Sequence, residues 1–190
     1  TEHSFAHVTK VARFAKQLML DLGYGGRKAE LAWIAGYLHD IGNVINRIDH
    51  AQSGAVMAFW LLNNLGADAE ELSTIISAIG NHDESTAFPV NEVAAALILA
   101  DKTDVRRSRV RNADFATFDI HDRVNYAVVD STTSLAEDKK AILLSVTIDT
   151  EISPVMDYFE IFLDRMLLCR KAAEKLGLKF QLEINGQSIL

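Results

Sequence analysis

The sequence predicts a mostly α protein. A helical bundle of about five core helices over residues 1–113 is followed by a small α+β extension, residues 114–190, with a β-hairpin and a long helix. Three observations predict this. Apolar residues recur at helical spacing in successive stretches up to about Val105. Gly, Pro and Asp punctuate the ends of those stretches. Beyond Asp114, β-branched and aromatic residues cluster in short runs, as strands do.

In the first stretch, Ser4 to Leu22, the residues Val8, Val11, Ala12, Ala15, Leu18, Met19 and Leu22 form one apolar stripe, with His7 beside it. Gly23, Gly25 and Gly26 end it; no phosphate-loop pattern follows them, so they read as a turn. Arg27 to Asp40 is the second helix, apolar at Ala29, Ala32, Ile34, Ala35 and Leu38, with Gly42 as its expected terminator. His50 opens the third, whose inner side is read as Ala51, Gly54, Ala55, Ala58, Phe59, Leu62 and Leu65. Its small residues allow another element to approach closely. Asp68 is the expected N-cap of a fourth helix through Ile79. A fifth runs from about Asn91 to Val105 and carries the aliphatic run Ala94 to Ala100 directly before Asp101. A carboxylate there needs a partner, because burying it uncompensated is costly.

In the extension, Val124–Val129 and Ala141–Ile148 are read as the strands of a hairpin joined by a polar link. Pro154 starts a long amphipathic helix to about Leu176, which Gly177 stops. Lys179 to Ile184 alternates as a last strand.

Composition narrows the function. The 190 residues, 49% hydrophobic, suffice for one well-buried core, or one core with a modest appendage. The apolar runs are too short for a membrane span, and no charged-then-apolar leader stands at Thr1. A net charge of −7 argues against stable nucleic-acid binding. The one cysteine, Cys169, leaves no intrachain disulfide or cysteine-rich zinc site and fits a reducing compartment. A cytoplasmic protein is the expectation.

His7, His39, Asp40, His50, His82 and Asp101 each lie on or beside a helical segment. Together they form an ordered set of nitrogen and oxygen donors suited to one or two divalent ions: iron, manganese, nickel, cobalt or zinc. His39 and Asp40, as neighbours about 100° apart on a helix, cannot point the same way. At a helix end His39 could hold one ion while the Asp40 carboxylate lies between two. A pair of ions can bind a phosphoryl oxygen and acidify a shared water.

His7, the doublet His39-Asp40 and Asp101 resemble the H…HD…D signature of the HD superfamily of metal-dependent phosphohydrolases, and His39-Asp40-Ile41-Gly42 is similar to its HDIG variant. His50 and His82 resemble the extra histidines of the family's dinuclear branch. The resemblance covers about residues 3 to 107 and implies an HD-type helical bundle. It further implies His7, His39, Asp40 and Asp101 on a first metal, with His50, His82 and a bridging Asp40 on a second. Asn43 departs from the pattern, standing where a lysine often follows HDIG, and Asp83 stands where a second histidine would. The HHE…GYP signature of the cyclic-di-GMP branch is missing, which counts against that substrate.

The expected activity is hydrolysis of a phosphate mono- or diester of a nucleotide or similar small molecule by metal-activated water. Asp40, Asp83 and Lys102 are the catalytic candidates. Lys102, Arg106 and Arg107 follow Asp101 closely and are candidates for substrate phosphates. Glu84 shares with Asp83 a place beside His82 and a candidacy for acid catalysis. A second doublet, His121-Asp122, precedes a strand-like run and is read as a decoy, and His3 as a fraying end. Two other readings stand beside the hydrolase: a non-catalytic nucleotide-binding regulatory module, and a di-iron oxygenase on the same scaffold. The extension is expected to pack on the body or to pair two chains as a homodimer.

Overall fold

The protein, described here as a computed structural model, is placed for residues 5–190 except 85, 111, 113, 115 and 116. The reading of His3 lies outside the described residues. Helices α1 (Phe5–Asp21) and α2 (Gly26–Leu38) form the first antiparallel pair. Gly36 lets them close: a Cβ there would sit 2.8 Å from the Cα of Ala12. Gly23 and Gly25, at φ of 81° and 84°, make the turn between them, a conformation glycine adopts without penalty.

After α2 a short 3-10 turn, Ile41–Val44, leads to α3 (His50–Asn64), α4 (Ala69–Gly80) and α5 (Glu92–Lys102). Asp68 caps α4 by accepting from the amides of Glu70 and Glu71, and Asn91 caps α5 through Ala94. α5 is the axis of the bundle. Every residue from Val93 to Lys102 is buried, and the helix packs on α1, α2, α4 and α7. That arrangement explains the unbroken aliphatic run before Asp101.

Gly42 does not end α2 by a left-handed cap. The helix stops at Leu38, His39 keeps a right-handed φ of −55°, and Gly42 is absent from the positive-φ glycines. Its role is close approach. A Cβ on Gly42 would collide with the carbonyl oxygen of His50 and stand 2.6 Å from the amide nitrogen of Gly54. The small residues of α3 therefore receive the turn after His39 and, at Ala55, the end of α4 at Gly80. Phe59 and Leu65, read as inner residues of α3, are instead 37% and 75% exposed.

The extension contains α6 (Ile120–Ala127), β1 (Val128–Leu135), β2 (Ala141–Ile148), α7 (Val155–Lys175), β3 (Lys179–Ile184) and β4 (Gln187–Ser188). The hairpin is present, but its first strand lies later than the β-branched run suggested. Val124 to Ala127 belongs to α6, which Asp119 caps by accepting from the Asp122 amide at 2.7 Å. β1 occupies the Ser/Thr-rich stretch that reads as a link. As an edge strand it presents polar side chains outward, and Thr is at home on a pleated surface.

The sheet order is β1-β2-β3-β4, antiparallel between β1 and β2, parallel between β2 and β3, and antiparallel again at β4. Parallel pairing demands a crossover, and α7 supplies it. α7 also packs on α5, so one apolar core continues from Val11 in α1 to Ile184 in β3. None of the described helices is long and apolar enough to cross a membrane.

Candidate metal centre

Six polar side chains meet at one place inside this apolar body. α1 brings His7 on its buried face, the end of α2 brings His39 and Asp40, and the start of α3 brings His50. His82 follows α4, and Asp101 lies in the last turn of α5. None is more than 8% exposed. His7 Nε2 lies 3.2 Å from Asp101 Oδ1 and 3.8 Å from Asp40 Oδ2. His39 Nε2 lies 3.3 Å from Asp40 Oδ2 and 3.7 Å from Asp101 Oδ1. On the other side of Asp40, His50 Nε2 stands 3.6 Å from its Oδ1 and 3.2 Å from His82 Nε2.

The histidines are held from behind. His39 Nδ1 faces the carbonyl oxygen of Gly36 at 2.7 Å, His50 Nδ1 that of Arg47 at 3.0 Å, and His82 Nδ1 that of Ile79 at 2.6 Å. His7 Nδ1 faces Asp104 Oδ2 at 2.8 Å. Each partner is an acceptor, so each assigns the ring hydrogen to Nδ1 and turns the Nε2 lone pair inward. The His50 and His82 rings then turn their Nε2 atoms toward one another, and the Arg47 guanidinium meets His50 Nε2 from one side at 3.2 Å. His39 Nε2 is buried with no hydrogen-bond partner among the described residues, a state that costs about 1–3 kcal/mol for a neutral group.

The electrostatics agree. Burial pushes the His82 pKa down to about 3, and the Lys102 charge pushes the same way. Burial, then Arg47, lowers His50 although Asp40 and Asp83 oppose it. Burial would raise the Asp101 carboxyl, but the Lys102 charge and the contact with His7 hold it well below the usual range. Neutral imidazoles and an ionised carboxylate are the forms that ligate a cation. Two donor groups, His7–His39–Asp101 and His39–Asp40–His82, bring their ligand atoms within 4.8 Å of one another. The residues fit a divalent metal.

The model of the HD domain family matches residues 4–106, more than half of the chain. This chain is an HD domain protein. Members of that family are generally metal-dependent hydrolases and bind divalent metals. No curated protein matches closely enough to supply a nearer relative.

Within the HD domain, the six donors predicted from the sequence come together. Lys102 joins them, buried, with Nζ 2.6 Å from Asp101 Oδ2. Asp83 stands at the rim, its Oδ1 4.0 Å from His50 Nε2. Arg106 and Arg107, read from the sequence as substrate-phosphate candidates, are engaged with other groups of the protein. Arg106 is bound to Asp104, Nε to Oδ1 at 3.0 Å, and to Ser108. Arg107 donates to the carbonyl of Tyr126 at 2.6 Å and stacks over that ring. His121 and Asp122 sit on α6, not before a strand, and His121 is exposed.

Four contributors were missed. Asp104 braces His7 and also binds Lys10 at 2.6 Å. Burial would raise its carboxyl, but bonds to His7, Lys10 and Arg106 hold it far below the usual range. Asn43, noted only as a departure, donates to Asp40 Oδ1 at 2.7 Å and orients it. Arg47 Nη1 lies 3.2 Å from His50 Nε2. Arg165 reaches from α7 to Glu84, Nε to Oε1 at 2.7 Å. Asp104, Asn43 and Arg47 each stand three positions from a donor, the one signal the sequence offered, whereas Arg165 lies 81 positions from Glu84.

Proposed function

We propose that this HD domain protein is a metal-dependent phosphohydrolase that cleaves a phosphate mono- or diester of a nucleotide or similar small molecule. One observation carries the reading: four histidines, each with its Nδ1 held from behind, and the Asp40 and Asp101 carboxylates converge in one buried centre. His7, His39, Asp40 and Asp101 would hold one ion, and Asp40, His50 and His82 a second. When bound, such ions supply Lewis acidity toward a phosphoryl oxygen and lower the pKa of water toward neutrality.

The chain's own groups do the rest. Asp104 and Asn43 fix the orientation of His7 and Asp40. Lys102 places a positive charge beside Asp101, where charge on the phosphoryl oxygens is neutralised. Asp83, part-exposed beside His50, would give a proton to the leaving oxygen. Exposed Ile48 and Phe88 lie on the segments that precede His50 and follow His82, and offer apolar surface to a base.

The test is metal analysis of the purified protein, followed by a screen of phosphate esters with added manganese. We expect at least one equivalent of a divalent transition metal, manganese-dependent release of phosphate, and loss of both in His39→Ala. A protein that retains no transition metal and releases no phosphate would overturn the reading.

A further inference from the structure

Glu84 lies on the short stretch between His82 and Pro89, while the two cations it meets are carried by helices. Lys102 is on α5, buried, with Nζ 3.8 Å from Glu84 Oε1; Arg165 is on α7, with Nε 2.7 Å from that same oxygen. The Arg165 guanidinium lies over the Phe162 ring, 4.4 Å from its centre, which limits its orientations. Lys102 Nζ also touches Asp101 Oδ2, so the charges run Asp101, Lys102, Glu84, Arg165 from the centre outward. Two cations on packed helices around one carboxylate oxygen on a connecting segment make a ready-made anion site with an internal occupant. A phosphoryl group offers the same kind of acceptor with more charge, and a guanidinium can bind it with paired N–H donors.

We infer that a phosphoryl group of the substrate takes the place of the Glu84 carboxylate between Lys102 and Arg165. Arg165 thereby makes α7, which lies outside the matched HD domain, part of the substrate site. Glu84 acts as a stand-in that offsets the repulsion between the two cations until a phosphoryl group takes its place. This inference rests on the phosphohydrolase reading.

The experiment is titration of inorganic phosphate into the manganese-loaded protein by calorimetry, for the wild type, Glu84→Gln, Arg165→Gln and the double variant. Circular dichroism and Tm are recorded for each. Removing the competing charge in Glu84→Gln lowers the Kd for phosphate about 5-fold or more, and Arg165→Gln raises it about 10-fold, in line with one charge-assisted hydrogen bond. In the double variant the gain from Glu84→Gln is lost. If wild type binds phosphate and neither variant changes its Kd, this inference alone is overturned, and a fall in Tm then marks the pair as a structural pin. If neither wild type nor Glu84→Gln binds phosphate although manganese is retained, the phosphohydrolase reading falls as well.

Discussion

The centre is governed by single atoms behind the donors as much as by the donors themselves. Asp104 is the clearest case, since its carboxylate holds His7 Nδ1, Lys10 and Arg106 at once. Asp104→Asn keeps an acceptor for His7 but loses the charge that the two cations need. We expect metal affinity to fall about 10- to 100-fold, measured by competition with a chelator. His39→Gln, which removes an inward lone pair, should cost more than Asp104→Asn in the same assay. Cys169 gives a prediction away from the site. Burial pushes its thiol up to about 12, so at pH 8 it stays protonated and unreactive in the folded chain. Native protein should resist iodoacetamide at pH 8 and react only after denaturation; rapid modification of the folded chain would contradict its burial. The donors themselves were legible in the sequence because each stands at a helix end or on a helix flank, in order. Their braces were not. Asp104 lies 97 positions from His7, and Arg165 lies 81 from Glu84, so only packing joins them.

At the level of elements, what matters is how closely the turn after His39 approaches α3. Gly42 has no room for a Cβ against His50 and Gly54. Gly42→Ala should therefore destabilise the protein by about 1–3 kcal/mol, as overpacking does, and should move His50 away from Asp40. Thermal unfolding measures the first effect and metal stoichiometry the second; an unchanged Tm would show that the turn can shift freely. Here the sequence was only half informative. It marked Gly42 as special but pointed to a cap, because chain order cannot distinguish a residue that needs a left-handed φ from one that needs space. The helices up to α5 were readable from their 3.6-residue period. α6 and β1 were not: α6 is a short helix containing Val124 and Tyr126, and β1 is an edge strand built from Ser and Thr. In each, the capping of Asp119 or the pairing with β2 outweighs local composition.

For the molecule as a whole, α7 ties the extension to the bundle, and the apolar core does not stop where the family match does. A chain cut after residue 113 would bare the side of α5 that α7 covers. We expect that fragment to aggregate or to show no cooperative unfolding, whereas the full chain melts in one transition. A soluble fragment with a sharp Tm would mean the extension is an independent attachment. The same rigidity bears on how the protein acquires its cation. Because three of the four imidazoles are anchored to backbone carbonyls of their own local turns, we expect chelation to leave the backbone of the centre in place. The empty protein is then a mould already cast. Uptake should be paced by shedding of the ion's hydration shell and passage to the interior, with no refolding phase in the kinetics.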